Sequence, residues 1–144
     1  MLRFMARDEK LELLHRIPIF VSCNPKQLER LGALTDEVHV PDGKVLMRQG
    51  ETADALMIVV SGTVRIERDG KLLATLSRGD FFGEMGLLDE APRNASAIAS
   101  GPASVLVVGH REFHTVMSEF PGFAAEVLRA LAGRIRNLEP NAPN

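Results

Sequence analysis

At 144 residues the chain has room for one ordinary domain and too little for two of average size, so a single core spanning 1–144 is expected. Hydrophobic residues make up 45% and charged residues 25%, as in a folded globular protein, and 19 acidic against 17 basic side chains leave a net charge of −2 with no basic tail or stripe, which excludes the electrostatic footprint of a nucleic-acid binder. The longest apolar run, 55–60, is a strand's length rather than a membrane span, residues 1–10 break into charge too early for a signal peptide, and the lone Cys23 cannot form an internal disulfide, so a reducing cytoplasm is the expected compartment.

In chain order, Leu11, Leu14 and Ile17 fall at helical spacing after Glu9, and Pro18 stops the segment, which predicts a short first helix. Asn24-Pro25-Lys26-Gln27 then offers an N-cap side chain, a proline at the first helical position and a glutamine three residues past the cap, ahead of Leu28, Leu31 and Leu34. Two N-terminal helices are therefore expected over 9–35. Beyond Thr35 the pattern alternates, with Val38 and Val40 on one face and Glu37 and His39 on the other. Further strands are predicted at 44–48, 55–60, 63–68, 72–76, 95–99 and 104–108, separated by Gly, Pro and Asp clusters. Such spacing indicates an antiparallel sandwich or barrel over 36–109.

The hairpin at Asp69-Gly70 carries a register problem. A strict two-residue loop would set Ile66 opposite Leu73 and divide the apolar residues between both faces. If Val64, Ile66, Leu72, Ala74 and Leu76 share the buried face, an extra residue or a bulge is required, and an odd-length loop is predicted. Downstream, 111–117 reads as a helix ending before Pro121. A longer helix is predicted over 122–138, where Phe123, Val127, Leu131, Ile135 and Leu138 form a stripe widened by Ala124 and Leu128. Residues 139–144 have no core to join and are expected to fray.

The chemistry concentrates in residues 81–96. A turn at Gly83 leading into a short helix presents backbone N–H groups that attract phosphate, and Gly86 keeps bulk away from that approach. Arg93 supplies a planar guanidinium able to grip two phosphate oxygens, and Asn94 and Ser96 add neutral donors. Glu84 would repel a phosphate unless its carboxylate has another task, and a sugar hydroxyl is a suitable partner. Together these groups imply a nucleotide with a single phosphate charge. No GxxxxGK[ST] sequence for a triphosphate is present.

The run Phe82-Gly83-Glu84-Met85-Gly86-Leu87, followed by Pro92-Arg93-Asn94-Ala95-Ser96, resembles the phosphate-binding cassette of the cyclic nucleotide-binding domain family, in motif and in the spacing from Glu84 to Arg93. That family includes the bacterial catabolite activator protein, cAMP-dependent kinase regulatory subunits and cyclic-nucleotide-gated channels. The resemblance covers nearly the whole chain. It implies a mainly β, α+β fold: an eight-stranded antiparallel jelly-roll barrel with N-terminal helices, a short cassette helix within 82–96, and two C-terminal helices over 110–138. It also implies that Glu84 accepts the ribose 2′-hydroxyl, that Arg93 pairs with the cyclic phosphate, and that the backbone of Met85 and Gly86 donates to it. The ligand would be cAMP, with cGMP as the alternative, and no cofactor or catalytic activity is expected. This chain departs from the family at Gly86 and Asn94. In the family the last helix closes over the base; Arg129, Arg134 and Arg136 are the candidates to contact it, and Arg134, one turn from Leu131 and Leu138, is the one chosen. Gly133 within that helix costs about 1 kcal/mol relative to alanine, which suits a segment that reorders.

Other features carry less. His110 and His114 sit at i, i+4 without a third ligand and read as solvent-facing helix histidines, while His15 and His39 stand isolated in the sequence. Asn94-Ala95-Ser96 as a sequon and Arg78-Gly79-Asp80 as an adhesion tripeptide read as coincidence in a chain without a secretion signal. Cys23 falls in a polar loop region. The expected partners are the cyclic nucleotide and a protein or second copy engaged through the C-terminal helix, with neither nucleic acid nor membrane. Two alternatives stay open: a regulatory fragment of a cAMP-responsive transcription factor, although the six residues after Leu138 leave no room for a helix-turn-helix, and an interaction domain whose cassette has lost its ligand.

Overall fold

The computed structural model describes residues 4–52, 54–87 and 91–138, apart from side-chain detail at 85, 86, 131 and 134–138. The expected fraying of 139–144 lies outside the described residues. Helix α1 (Arg7–Arg16) ends ahead of Pro18, a 3₁₀ turn follows at Pro18–Phe20, and α2 is Pro25–Ala33. The start of α2 is as its sequence predicts. Asn24 Oδ1 accepts from the Gln27 N–H, and Gln27 Oε1 accepts from the Asn24 N–H, both at 2.9 Å. Each bond satisfies a donor that a helix start otherwise leaves open.

Strands β1 (Asp36–Val40), β2 (Val45–Met47), β3 (Ala55–Arg68), β4 (Lys71–Leu76), β5 (Phe81–Phe82) and β6 (Ser96–Gly109) make one antiparallel sheet in the order β1-β6-β3-β4, with β2 also on β6 and β5 also on β3. Among the described residues the sheet has six strands and does not close, so the expected eight-stranded barrel is corrected. Segments 55–60 and 63–68 are one strand, as are 95–99 and 104–108. The reason lies at Ser61-Gly62 and Gly101-Pro102, where the chain bends without losing its partner. Ser61 pairs with Ser104 and Thr63 with Ser100, so extra residues are absorbed as bulges. Gly62 has φ +77°, and a Cβ there would lie 2.4 Å from the Pro102 carbonyl oxygen, which leaves room for glycine alone.

The β3–β4 hairpin solves its register differently from the odd-length loop expected. Asp69 (φ 52°) and Gly70 (φ 79°) form a two-residue turn closed by the pair Arg68–Lys71. Positive φ at both positions gives the turn a twist that matches the flanking strands. The extra residue sits instead within β4, where a shift past the Glu67–Leu72 pair restores Ile66 opposite Ala74 and Val64 opposite Leu76. Leu72 and Ala74, expected on a buried face, are exposed, as is Leu73.

Helices α3 (His110–Glu119) and α4 (Pro121–Leu138) return against the N-terminal helices. The main core joins Leu14, Ile17, Phe20 and Leu31 to Leu56, Ile58 and Leu106 of the sheet and to Phe113, Phe123 and Val127. Phe20 stacks on Phe123 at 6.2 Å, and Phe113 meets Phe123 edge-on at 5.6 Å between centroids. A second cluster, Val59, Val64, Phe82 and Ala97, packs with Met47 and Met57. Cys23 is buried in the main core rather than in a polar loop.

Truncating Phe20→Ala should cost about 3–5 kcal/mol in urea unfolding, whereas Leu128→Ala, at a side chain 63% exposed, should stay within about 0.5 kcal/mol of wild type. Burial, reinforced by the negative charge of Glu126, raises the Cys23 thiol from its ordinary value to about 12. At about pH 8 it therefore stays protonated and should resist a colorimetric disulfide reagent until denaturant unfolds the chain.

Candidate functional site

The cassette is built on a stretch of β3 and on the connection between β2 and β3. Phe82 pairs with Met57 and Phe81 with Ile58, which sets β5 in the sheet along the edge of β3 away from β6. The chain then turns at Gly83, whose φ is +80° and whose absent Cβ would lie 2.6 Å from the Ala55 carbonyl oxygen. That close approach lets a short 3₁₀ helix, Glu84–Leu87, begin directly against the strand. Leu87 is fully buried in the main core.

The far end of the cassette is held by backbone. The Gly50 N–H donates to the Arg93 carbonyl at 2.8 Å, the Arg93 N–H donates to the Glu51 carbonyl at 3.0 Å, and Thr52 bridges to Pro92. Ser96 Oγ accepts from the Gln49 N–H at 2.8 Å, so this expected ligand donor fixes the 48–52 connection. Gln49 in turn grips the hairpin turn, its Nε2 donating to Asp69 Oδ1 and its Oε1 accepting from the Asp69 N–H, both at 2.9 Å. Arg68 Nε donates to the Asn94 carbonyl at 2.9 Å, while the Asn94 side chain is exposed and Ala95 is buried. Gln49, Arg68 and Asp69 carry no motif, and no local signal ties them to residues 94–96 of a distant strand.

Glu84 and Arg93 are both partly buried and both engaged within the chain. Glu84 Oε2 and Arg93 Nε are fully enclosed. A cavity of about 150 Å³ lies between the 46–55 stretch and Phe82, with Met47, Met57 and Phe82 as its apolar wall, and neither Glu84 nor Arg93 lines it. Ala55, against which Gly83 turns, and Glu51 and Thr52, which hold Arg93 and Pro92, line it too. The side chains of Met85 and Arg134 and the surroundings of Gly86 lie outside the described detail. His110 corrects the expectation of a solvent-facing side chain. It is partly buried, its Nδ1–H donates to the Leu87 carbonyl at 3.1 Å, and its backbone N–H donates to the Asp54 carbonyl at 2.7 Å. His114 is exposed and lies edge-on to it.

The family model for the cyclic nucleotide-binding domain matches residues 37–120, from β1 through the end of α3. The chain belongs to the cyclic nucleotide-binding domain family. The crystal structure of the N-terminal domain of a transcriptional regulator from Streptomyces coelicolor is 30% identical, with a TM-score of 0.82 over 92% of this chain and 98% of that one. A CRP-like cAMP-activated global transcriptional regulator of Mycobacterium tuberculosis is 30% identical over 135 residues, covering 90% of this chain and 60% of its own length. An uncharacterized NTE family protein of Mycobacterium bovis is 31% identical over 128 residues, 88% of this chain and 22% of the relative. The chain thus spans only part of these curated relatives. Residues 82–96 lie within the matched segment, and among the described residues no helix is long and apolar enough to cross a membrane.

Gly79 and Gly83 both hold positive φ, but a Cβ on Gly79 meets nothing within 4 Å whereas one on Gly83 strikes backbone. Gly79→Ala should therefore cost about 1 kcal/mol, and Gly83→Ala clearly more, about 2–4 kcal/mol, by urea unfolding of both variants side by side.

Proposed function

We propose that this domain is a cytoplasmic sensor that binds cAMP, with cGMP as the competing ligand, and that leaves the nucleotide chemically unchanged. The observation that carries the reading is the cassette within the family match: Glu84 on a helical turn set against Ala55, and Arg93 fixed through its own backbone to Gly50 and Glu51. In this role Arg93 neutralises the single phosphate charge, and Glu84 accepts from the ribose 2′-hydroxyl. The Met85 and Gly86 backbone, with Asn94, Ala95 and Ser96, completes the anion's surroundings, and Phe82, Met47 and Met57 offer the apolar wall. The cavity of about 150 Å³ is smaller than the roughly 300–1,000 Å³ of sites that enclose small molecules, so occupation requires the cassette to move outward.

That movement has a route to the C-terminal helices, because Leu87 shares the main core with Phe113 and Phe123 and its carbonyl is held by His110. Binding would bias α3 and α4 between two arrangements, with Arg134 available to meet the base and the face of α4 offered to a protein or a second copy. The cAMP-activated relative supports adenine over guanine. The chain spans 60% of that regulator, which supports a second reading, the regulatory segment of a longer factor. Whether the reading frame continues past Asn144 decides between them.

Calorimetric titration of the wild-type chain with cAMP and with cGMP should give a saturable heat, larger in affinity for cAMP. Arg93→Ala should lose about 2–5 kcal/mol of binding, roughly thirtyfold to several thousandfold. No heat with either nucleotide would refute the proposal.

A further inference from the structure

His39, isolated in the sequence, is the centre of a polar row that crosses three strands. In the ladder it faces Ser104 of β6, which in turn faces Ser61 of β3. Glu37, two residues before His39 on β1, shares its face of the sheet, opposite the buried Val40. Glu37 Oε2 lies 3.1 Å from His39 Nε2, His39 Nδ1 lies 3.3 Å from Ser104 Oγ, and Ser61 Oγ donates to Ser104 Oγ at 3.0 Å. The Glu37 side chain is 5% exposed and that of His39 12%, and Ser104 is 6% exposed.

With Glu37 ionised and the His39 imidazole neutral, the hydrogen bonds in this row run in one direction. A carboxylate accepts and does not donate, so Glu37 requires the imidazole proton on Nε2. Nδ1 is then a bare acceptor for the Ser104 O–H, and the Ser104 oxygen keeps its lone pairs for the Ser61 O–H. Glu37 Oε1 also accepts from the Met5 N–H at 2.6 Å, and the Phe4 ring stands edge-on to His39 at 4.7 Å, so carboxylate and imidazole are both oriented. A cavity of about 400 Å³ opens on His39, Ser61 and Ser104 between Pro41 and Pro102, within the size range of small-molecule sites.

We propose that Ser104 is a nucleophile activated by His39, and that this second site, independent of the cassette, hydrolyses small carboxylic esters. Ser104 Oγ forms a bond to the ester carbonyl carbon as its proton passes to His39 Nδ1. The carbonyl oxygen gains the negative charge, and the Ser61 hydroxyl turns from Ser104 to donate to it. The carbonyl reforms, the ester C–O bond breaks, and the leaving alkoxide takes the proton from His39. Water then attacks the acyl-serine with His39 again taking its proton, the Ser104–acyl bond breaks, Ser104 regains its proton and the carboxylic acid departs. Glu37 positions the histidine and fixes its tautomer throughout.

The test is p-nitrophenyl acetate hydrolysis by the intact chain, together with labelling by a fluorophosphonate probe and peptide mapping of the adduct. Wild type should carry the adduct on Ser104. Ser104→Ala and His39→Gln should each slow hydrolysis on the order of a hundredfold or more, and Ser61→Ala should lower kcat. Glu37→Gln should lower kcat with KM unchanged, because the amide admits the wrong tautomer. Circular dichroism confirms that each variant is folded. Ser104→Ala, which removes one hydroxyl and leaves the ladder's backbone intact, keeps the test decisive if a His39 or Glu37 variant unfolds. Hydrolysis by Ser104→Ala as fast as wild type, or an adduct that maps elsewhere, would overturn the proposal, whatever the outcome of nucleotide titration.

Discussion

The structure depends on one ladder, the pairing of β3 with β6 along their 14 residues each, and on the bend in its middle. Every other strand attaches to one of these two: β1 and β2 to β6, β4 and β5 to β3. The bend is possible because Gly62 lets the Pro102 carbonyl occupy the space a side chain would take. Along 55–60 the two faces of β3 serve different cores, Leu56, Ile58 and Val60 the helical one and Val59, with Met57 packed beside it, the smaller one. The cassette crosses from one core to the other within a few residues. Phe82 belongs to the smaller cluster and Leu87 to the helical one. A hydrophobic residue at each end thus fixes the turn that carries Glu84.

The same arrangement gives nucleotide binding, as proposed, a mechanical consequence. Leu87 cannot leave its place without opening apolar surface in the main core, to which Phe113 and Phe123 also belong, at a cost of about 25 cal/mol per Å². Its carbonyl is also held by His110, at the first turn of α3, whose backbone is anchored to Asp54 beside the cassette's floor. Strand, cassette and helix therefore meet at one residue. Packing and two hydrogen bonds form a continuous physical connection from cassette to α3. From there the Phe20–Phe123 stack carries contact to α4 and back to the N-terminal helices.

Much of this was legible in the sequence. The cap at Asn24 and Gln27 is a local interaction, and local interactions are written in adjacent residues. The family was readable because the glycines, carboxylate and arginine of its motif lie within one short run. The strand segments were readable from alternation, but not their continuity. Ser61-Gly62 and Gly101-Pro102 have the composition of turns, and only pairing across the ladder makes them bulges. The hairpin shows the same limit. The need for one extra residue followed from the apolar pattern, whereas its place in β4 follows from positive φ at both Asp69 and Gly70. The supports of the site, Gln49 to Ser96 and Arg68 to Asn94, join residues 47 and 26 apart, and nothing local marks either. His39 likewise acquires its partner Ser104 from strand pairing 65 residues away.

The central claim is that the cassette binds a cyclic nucleotide and is coupled through Leu87 to the C-terminal helices. Amide hydrogen exchange with and without saturating cAMP, resolved by peptide, addresses both parts at once. The account predicts slower exchange within 83–87 and 91–96 together with a change across 110–138. Exchange that is unaltered in the cassette at saturating nucleotide would contradict it.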